Sequence, residues 1–466
     1  MKFISTRGRA PAIGFREAVL KGLAADGGLY MPDAWPSLPA GELAAFAGLT
    51  FAEAAARVLS LYAADEITRD DLSAMAARAY APFDHPETAP LLPLTDDLDL
   101  LELFHGPTLA FKDVAMRMLA ELYGWALHGA ASGKTIIGAT SGDTGGAAVA
   151  AFAGAGDVEV FMLHPKGRIS DVQRRIMTTA RADNICNIAV EGTFDDCQRI
   201  VKALFADERL NRVCDLGGVN SINWVRLAVQ STYFLTAAAK RPGAHFVVPT
   251  GNFGDIFAGF AAKKFGAPIS VLVAATNQND IVRRAIETGV YAPSAVSATS
   301  SPSMDIQVAS NFERLLFEAS GRDAGATADL MTASGSNGQF DIPERWRAAI
   351  ARDFTAGRAD EAKVAATMRR LHADRGLLID PHTAVGVEVG EQLRREGRLA
   401  GRLVCLATAH PAKFPDAVES ATGARPALPP RFSNLLSEQE RFETAPADTA
   451  AIRMLIELKS LFARRR

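Results

Sequence analysis

The chain has 466 residues, of which 48% are hydrophobic and 22% are charged, and 50 basic against 53 acidic residues leave a formal net charge of −3. This composition is typical of a folded globular protein and excludes a disordered chain, a collagen and a disulfide scaffold. The near balance of charge also excludes a global attraction to nucleic acid, so any anionic partner has to be recognised locally.

The first 90 residues are predicted to be mostly helical. An amphipathic run ends at the turn Ala25-Asp26-Gly27-Gly28. The predicted helices of this region lie at 15–23, 41–46, 51–62 and 69–79. Residues 81–90 then contain three prolines, and because proline cannot continue a helix, we interpret this stretch as a domain boundary.

From residue 91 onward, strands and helices alternate. Strands are predicted at 98–104, 134–140, 158–164, 187–191, 245–249, 269–274 and 402–407. Helices are predicted at 113–127, 145–154, 170–180, 194–205 and 255–265, and residues 331–401 are predicted to be mainly helical. Strands separated by helices of this length form parallel sheets covered on both faces, so the sequence predicts an α/β fold.

The sequence shows no predicted membrane span and no predicted export signal. Residues 1–8 lack the apolar run of a signal peptide, and the apolar stretch 256–275 is interrupted by Lys263, Lys264 and Pro268. Four cysteines without a C-x-x-C pair are predicted to be free thiols: Cys186, Cys197, Cys214 and Cys405. A cytoplasmic enzyme is therefore expected. The closing residues 464–466 are predicted to be a solvated tail.

A glycine- and hydroxyl-rich turn follows the predicted strand at 134–140. It comprises Thr140, Ser141, Gly142, Asp143, Thr144, Gly145 and Gly146. Small residues let a ligand approach the backbone, and the free N–H groups at the start of the next helix attract an anion. An ordinary strand-to-helix turn explains one glycine and one capping residue, and both interpretations remain open at this point.

A second such turn follows the predicted strand at 245–249. Its residues Gly251, Asn252, Phe253, Gly254 and Asp255 offer consecutive N–H groups that favour binding of a phosphate. It lacks the G-x-G-x-x-G pattern of a dinucleotide site. A nucleoside-triphosphate site is excluded at Gly133-Lys134-Thr135, because His128 stands where a P-loop needs glycine and Lys134 begins a strand.

Lys112 is the third candidate. It follows a strand, lies in the apolar stretch 104–113 and stands at the predicted start of a helix. Desolvation and the helix dipole both disfavour the ammonium form and would lower the pKa of Lys112. A neutral lysine amine can form an imine with an aldehyde cofactor. One buried lysine together with a phosphate-binding turn predicts pyridoxal phosphate rather than a nucleotide.

These motifs resemble the threonine synthase family, in its bacterial and fungal branch of fold-type II pyridoxal-phosphate enzymes. The resemblance covers nearly the whole chain. It is carried by the strings at 5–8, 22–30, 105–113, 141–145, 220–226, 251–255, 380–386 and 408–414. It implies two parallel-sheet α/β subdomains with the active site between them, and a small, mostly helical N-terminal domain. The implied reaction converts O-phospho-L-homoserine and water into L-threonine and phosphate.

The resemblance also assigns residues one by one. Lys112 matches the lysine that binds the cofactor covalently and later moves protons. Gly251 to Asp255 match the loop that holds the cofactor phosphate, and Thr408 matches the hydroxyl residue that faces the pyridine nitrogen. The substrate is assigned to Thr140, Ser141, Asp143 and Thr144 at its α-carboxylate, and to Asn220, Ser221 and Arg226 at its phosphate.

Several assignments are less specific. Arg226 suits a phosphate because its planar guanidinium donates two hydrogen bonds, but taken without the family it reads as a surface helix charge. His105, His382 and His410 have no metal-ligand spacing and are interpreted as structural or supporting polar groups. No metal is predicted. Residues 300–305 form a loop that matches the family, with no role assigned.

The expected organisation has three parts: residues 1–90 as the N-terminal domain, 91–420 as the catalytic region, and 421–466 as a C-terminal extension that packs on it. The chain is expected to cross between the two subdomains and to act as a monomer or homodimer. The alternatives are a phospho-lyase that releases 2-oxobutyrate from the same substrate, a serine/threonine dehydratase, a cysteine synthase, or a non-catalytic nucleotide-binding or regulatory protein.

Overall fold

The computed structural model describes residues 1–39, 41–63, 66–130 and 132–462. The predicted tail at 464–466 lies outside these residues. Throughout the described part of the chain, no helix is long and apolar enough to cross a membrane. All four cysteines are free thiols, as predicted, and three of them are buried.

The N-terminal region combines a short two-stranded ladder with helices. Its elements are β1 (Phe3–Ser5), α1 (Phe15–Leu20), β2 (Tyr30–Pro32), α2 (Glu42–Ala45), α3 (Phe51–Ala63) and α4 (Arg69–Tyr80). The Thr68 hydroxyl accepts a hydrogen bond from the Asp71 amide and begins α4. β1 and β2 pair antiparallel, which the sequence analysis did not predict, because strands of three residues carry too little alternation to be detected.

The first large sheet has six strands. In spatial order they are β13 (Phe354–Arg358), β10 (Leu272–Thr276), β9 (His245–Pro249), β14 (Leu403–Ala407), β4 (Leu98–Glu102) and β3 (Leu91–Thr95). All neighbours are parallel except β3 and β4. The sequence analysis missed β3 and β13, and β13 lies within the region predicted to be mainly helical.

The second large sheet has five strands, all parallel. In spatial order they are β15 (Glu443–Pro446), β7 (Ile185–Glu191), β6 (Val158–Pro165), β5 (Lys134–Ala139) and β8 (Leu216–Gly217). A further antiparallel pair joins β11 (Val290–Tyr291) to β12 (Phe340–Asp341). The prediction of an α/β fold with two parallel sheets is therefore confirmed.

Helices cover these sheets. They are α5 (Lys112–Leu127), α6 (Asp143–Phe152), α7 (Asp171–Thr178), α8 (Phe194–Phe205), α9 (Glu208–Cys214), α10 (Trp224–Lys240), α11 (Gly254–Lys264), α12 (Ile281–Thr288), α13 (Phe312–Ala319), α14 (Ala324–Asn337), α15 (Glu344–Ile350), α16 (Glu361–Arg375), α17 (Pro381–Arg395), α18 (Pro415–Thr422) and α19 (Thr449–Lys459). The predicted helices of the catalytic region all exist, with ends that differ by a few residues. α10 was not predicted as an element, because nearly all of its length is buried and it shows no polar face.

Successive segments of the chain contribute strands to the two large sheets in alternation. β3 and β4 lie in the six-stranded sheet, β5 to β8 in the five-stranded sheet, β9, β10, β13 and β14 in the first again, and β15 in the second. Ligand sites of parallel sheets lie beyond the carboxyl ends of the strands. The loops after β4, β5, β9 and β14 carry the candidate residues, and this alternation brings loops of both sheets to one place.

Candidate active site

Lys112 stands at the first position of α5. Its side chain is 13% exposed, and its Nζ lies 3.3 Å from the Oδ2 atom of Asp143. Burial lowers the pKa of the Lys112 amine, the Asp143 carboxylate opposes this, and the positive charges of Lys413 and Arg226 lower it further. The surroundings therefore favour the neutral, nucleophilic form of this amine.

The loop before α5 is held in a defined shape. Asp113 accepts hydrogen bonds from the Thr108 amide at 2.7 Å and from the Thr108 hydroxyl at 2.6 Å. A Cβ atom at Gly106 would lie 2.5 Å from the Cβ of Asp113, so only glycine fits there. The Phe111 amide donates to the Thr408 carbonyl at 2.9 Å. Lys112 is thus fixed next to the segment that follows β14.

The Asp143 carboxylate is shared by four donors. Its Oδ1 accepts from Lys413 Nζ at 2.7 Å and from Gln173 Nε2 at 3.0 Å, while Oδ2 accepts from Ser303 Oγ at 3.1 Å and faces Lys112. Burial alone would raise the pKa of Asp143, but Lys413 and Lys112 hold it well below its usual range. A permanently charged carboxylate therefore contacts the candidate nucleophile.

The turn after β5 offers two hydroxyl groups. Thr140 is buried, and its hydroxyl accepts from the amides of Gly142 and Gly145 at 2.9 Å each, so it shapes the turn from the inside. The hydroxyls of Ser141 and Thr144 have no hydrogen-bond partner among the described residues, and both side chains are partly exposed. These two hydroxyls are free to bind a ligand at the N-terminus of α6.

The loop after β9 has the properties of an anion site. None of the main-chain N–H groups of residues 251–255 donates to an acceptor in the described parts of the chain. Phe253 adopts a left-handed conformation with φ of 65° and begins α11. A Cβ atom at Gly251 would lie 2.6 Å from the carbonyl oxygen of Ser303. Consecutive unengaged donors at a helix N-terminus fit the phosphate of pyridoxal phosphate.

The segment 220–226 lies against this loop. A Cβ atom at Gly254 would lie 3.6 Å from the Cβ of Ser221. Asn223 begins α10 by accepting from the Val225 amide at 2.9 Å. Asn220 is exposed, and its side-chain oxygen accepts from the Ile222 amide at 3.3 Å, so it stabilises its own turn. The structure thus brings the two predicted phosphate-binding segments together.

Arg226 is only 2% exposed, so the alternative that it is a surface helix charge is wrong. One guanidinium nitrogen donates to the Val219 carbonyl at 3.0 Å, and its Nε has no partner among the described residues. Burial lowers the pKa of Arg226 to about 10, against the attraction of Tyr233 and Asp255. A buried guanidinium without an ion pair is a costly group unless an anion binds to it.

Asp255 completes this part of the site. It accepts a short hydrogen bond from the Tyr233 hydroxyl, and its second carboxylate oxygen is buried without a partner in the described structure. Burial raises the pKa of Asp255 to about 7, although the Tyr233 hydrogen bond and the charges of Lys112 and Arg226 oppose this. The carboxyl group therefore changes its charge near neutral pH.

Thr408 follows β14, and its hydroxyl has no partner among the described residues. His382 Nδ1 lies 2.7 Å from Asp380, and its Nε2 accepts from the Ser303 amide at 3.2 Å. Burial lowers the pKa of His410 to about 4, with a smaller effect from the charge of His105. The ring of His410 is therefore neutral at physiological pH.

Three residues at the site were not assigned by the sequence analysis. Ser303 lies in the loop left without a role, and it contacts Asp143. Lys413 is 1% exposed and lies within a matching motif, and its signal is the same as for Lys112: a lysine in an apolar stretch shortly after a buried strand. Arg314 is fully buried, and the sequence offers no signal for it because its neighbours on α13 are buried on every side.

Arg314 ties the site to the N-terminal region. Its guanidinium donates to the Ile222 carbonyl at 2.6 Å and to the Tyr30 carbonyl at 3.2 Å, and it bonds the side chain of Asn311. The Asn311 amide in turn donates to the Asn252 carbonyl at 3.1 Å. One buried cation thus connects the segment 220–226, the loop after β9 and β2.

The comparisons with known proteins agree with this geometry. A family model described as "Pyridoxal-phosphate dependent enzyme" matches residues 100–409. The structure is also similar to a crystal structure of PLP-bound threonine synthase from Brucella melitensis, with a TM-score of 0.95 and 46% identity over 99% of this chain and 100% of that one. The protein is therefore a pyridoxal-phosphate-dependent enzyme of fold type II.

Two further models, "Threonine synthase N terminus" and "Threonine synthase, C-terminal", match residues 2–80 and 383–456. The threonine synthase of Pseudomonas aeruginosa is 43% identical over 98% of both chains. The crystal structure of threonine synthase from yeast has a TM-score of 0.93 and 37% identity over 98% of both chains. The chain belongs to the threonine synthase family, as its motifs predicted.

Proposed function

We propose that this enzyme converts O-phospho-L-homoserine and water into L-threonine and phosphate, with Lys112 as its cofactor lysine. The observation that carries the proposal is a second anion-binding region, the segment 220–226 with its buried Arg226, beside the loop that fits the cofactor phosphate. A phosphorylated amino-acid substrate needs such a second region, whereas a dehydratase or a cysteine synthase acting on a smaller substrate does not.

When bound, pyridoxal phosphate supplies an aldehyde that condenses with amines and a conjugated ring that accepts electron density from the substrate Cα. The N–H groups of residues 251–255 would hold its phosphate. The Thr408 hydroxyl would face the ring nitrogen, and because a hydroxyl is neutral it does not keep that nitrogen protonated. The electron-accepting power of the ring is moderated as a result.

Lys112 moves the protons of the reaction. Its Nζ, whose pKa is lowered by burial and by two neighbouring cations, takes a proton from the substrate Cα. Asp143, 3.3 Å away, stabilises the ammonium that results. The loss of a proton from Cβ allows the phosphate at Cγ to leave. A proton then adds at Cγ to form the methyl group, and water adds at Cβ before a proton returns to Cα.

The substrate is held at its two anionic ends. Ser141 and Thr144 donate to the α-carboxylate, next to the N–H groups that begin α6. Arg226, with Ser221 and Asn220, binds the phosphate, and its unpartnered Nε is available for this. Asp143 and Thr140 support these groups indirectly. Asp143 contacts Lys112, and Thr140 stabilises the shape of the turn. Holding both ends aligns the breaking carbon–oxygen bond.

The wider organisation is also part of the proposal. We place the N-terminal domain at 1–90, the catalytic region at 91–420 and the extension at 421–466, whose strand β15 adds to the five-stranded sheet. We further propose that the enzyme is cytoplasmic and acts as a monomer or homodimer.

The proposal is tested by incubating the enzyme with O-phospho-L-homoserine and measuring threonine, phosphate and 2-oxobutyrate. We expect threonine and phosphate in equal amounts. A Lys112→Ala variant should lose at least about 1,000-fold in turnover, since it lacks both the covalent attachment and the proton carrier. Release of 2-oxobutyrate without threonine would instead identify a phospho-lyase, and near-normal turnover by Lys112→Ala would refute the assignment of this lysine.

A further inference from the structure

The buried side chain of Lys413 has no role in the proposed reaction, although it lies in the centre of the site. It is 1% exposed, and its Nζ donates to the Asp143 carboxylate and to the Thr108 carbonyl at 2.7 Å each. Thr108 belongs to the loop that begins α5. Lys413 therefore bridges the turn after β5 and the loop before Lys112 from a third segment, the one after β14.

Lys413 and Gln173 together occupy one oxygen of Asp143, and the other oxygen is left to Ser303 and Lys112. The carboxylate can rotate only if these contacts break. The Lys413 backbone carbonyl also accepts from the Ser170 hydroxyl, which begins the helix that carries Gln173. The direction of Asp143 toward Lys112 is thus set by Lys413 and its neighbours.

Two lysines share one carboxylate in this cluster, so full protonation would leave a buried net positive charge. Lys413 Nζ has two contacts of 2.7 Å, to Asp143 and Thr108, whereas Lys112 Nζ lies 3.3 Å from Asp143. The charged groups that face Lys112 are the carboxyl groups of Asp143 and Asp255 and the cations of Lys413 and Arg226. Burial and the charges of Lys413 and Arg226 lower the pKa of Lys112, while Asp143 opposes this.

We propose that Lys413 is a positioning residue for Lys112: it aims the Asp143 carboxylate at the amine and places its own positive charge beside it. This inference rests on the proposed role of Lys112 as the cofactor lysine. Without Lys413, Asp143 has Lys112 as its one remaining cationic partner within the described structure, and the Lys112 ammonium becomes more stable.

The test measures the protonation of Lys112 in the cofactor-free, full-length protein. Traces of acetic anhydride acetylate neutral amines, and peptide mass spectrometry between pH 6 and pH 11 gives the reaction rate at Lys112. We expect Lys413→Met to slow this acetylation about tenfold at pH values where Lys112 is mainly protonated in both proteins, because the loss of a neighbouring unit charge raises a pKa by about one unit. Lys413→Arg, which retains the charge, should keep the wild-type profile.

The matched control is Lys134→Met. Lys134 is also a largely buried lysine with a carboxylate partner, Asp215 at 2.9 Å, but it stands at the other end of β5. Its loss should leave the Lys112 profile unchanged. If Lys413→Met does not fold, Lys413→Gln keeps a donor toward Asp143 without the charge, and the same slowing is expected.

Two results would overturn the inference: an unchanged Lys112 profile in the folded, uncharged variants, or an equal change in Lys134→Met. Reduction of the wild-type holoenzyme with borohydride, followed by peptide mapping, tests the proposed function separately. A cofactor label on Lys112 supports the function whatever the variants show. A label on Lys413 refutes both the function of Lys112 and the inference built on it.

Discussion

Two groups of buried cations lie in the active site, and they differ in how their charge is balanced. Lys112 and Lys413 share the Asp143 carboxylate, and each contacts a different oxygen of it. Arg226 and Arg314 form no ion pair within the described residues, and their guanidinium groups donate to carbonyl and amide oxygens instead. The lysines of the first group have a counter-ion within the group, whereas the arginines of the second group have none.

The difference indicates what each group does. Burying an ion without a counter-ion costs several kcal/mol, so an unpaired guanidinium is tolerated where a ligand later supplies the negative charge. The paired group instead fixes the position of an amine before any ligand arrives. We therefore infer that one region is preorganised for proton transfer, and the other for binding an anion.

The largest effect on the paired group is expected from Asp143→Asn, because this substitution removes the shared counter-ion and leaves two buried lysines unpaired. We expect the free energy of unfolding of the cofactor-free protein to fall by about 3–5 kcal/mol. Chemical denaturation measures this. The control Glu191→Gln removes the partner of the half-exposed Lys166 and should cost at most about 1 kcal/mol. Equal losses in the two variants would show that burial does not decide the effect.

In the unpaired group, Arg226→Met should act in opposite directions on stability and on activity. Removing an uncompensated buried charge should raise the free energy of unfolding of the cofactor-free protein by about 1 kcal/mol. It should lower kcat/KM for O-phospho-L-homoserine about 100-fold, because a charge-assisted phosphate contact is lost. Arg117→Met is the control: Arg117 also donates to carbonyl groups, Ala79 and Ala150, but outside the site. A loss of stability in Arg226→Met would contradict the comparison.

Asp255 should make the free energy of unfolding depend on pH. Its pKa is raised to about 7 in the folded protein from an ordinary value of 3.8, so the folded state binds this proton more tightly than the unfolded state. The stabilisation of the folded state by this proton is complete below about pH 4 and is lost as the pH rises through about 7. Between pH 4 and pH 8, wild type should therefore lose about 2–4 kcal/mol relative to Asp255→Asn.

Denaturation of both proteins at several pH values measures this difference. In Tyr233→Phe, the hydrogen bond that lowers the pKa of Asp255 is absent. The loss of stability should then move to higher pH. A difference between wild type and Asp255→Asn that does not depend on pH would show that Asp255 is ionised throughout.

Inorganic phosphate is also expected to stabilise the cofactor-free protein. At about ten times its dissociation constant, phosphate should add about 1.4 kcal/mol to the free energy of unfolding. Thermal denaturation in phosphate and in chloride at equal ionic strength measures it. The effect should be weaker in Arg226→Met and unchanged in Arg117→Met, and equal stabilisation of both variants would place the bound anion elsewhere.

The fold was largely accessible from the sequence. Buried strands such as β5, β6 and β9 are short apolar runs between turn residues, and helices such as α8 have a clear apolar face, so their positions follow from local pattern. Four strands of the two large sheets were missed: β3, β8, β13 and β15. β15 has only four residues and is a strand because β7 lies beside it, which no local pattern records.

The candidate site was accessible in part. Lys112 and the loop 251–255 can be recognised from the sequence. Each is an unusual feature directly after an apolar strand: an isolated lysine in one case and a glycine-rich turn in the other. Lys413 carries a similar signal, but its importance depends on Asp143, which lies 270 residues earlier in the chain. Arg314 carries none, because the two carbonyl groups to which it donates, those of Tyr30 and Ile222, belong to distant segments.

By itself, the sequence determined the class of fold, the order of its elements and the residue types that carry the chemistry, since these depend on periodicity and on turns that neighbouring residues specify. The tertiary structure alone decided which charges are paired. Whether a lysine is neutral or an arginine lacks a counter-ion depends on distance and burial, and both are set by segments that meet only when the chain is folded.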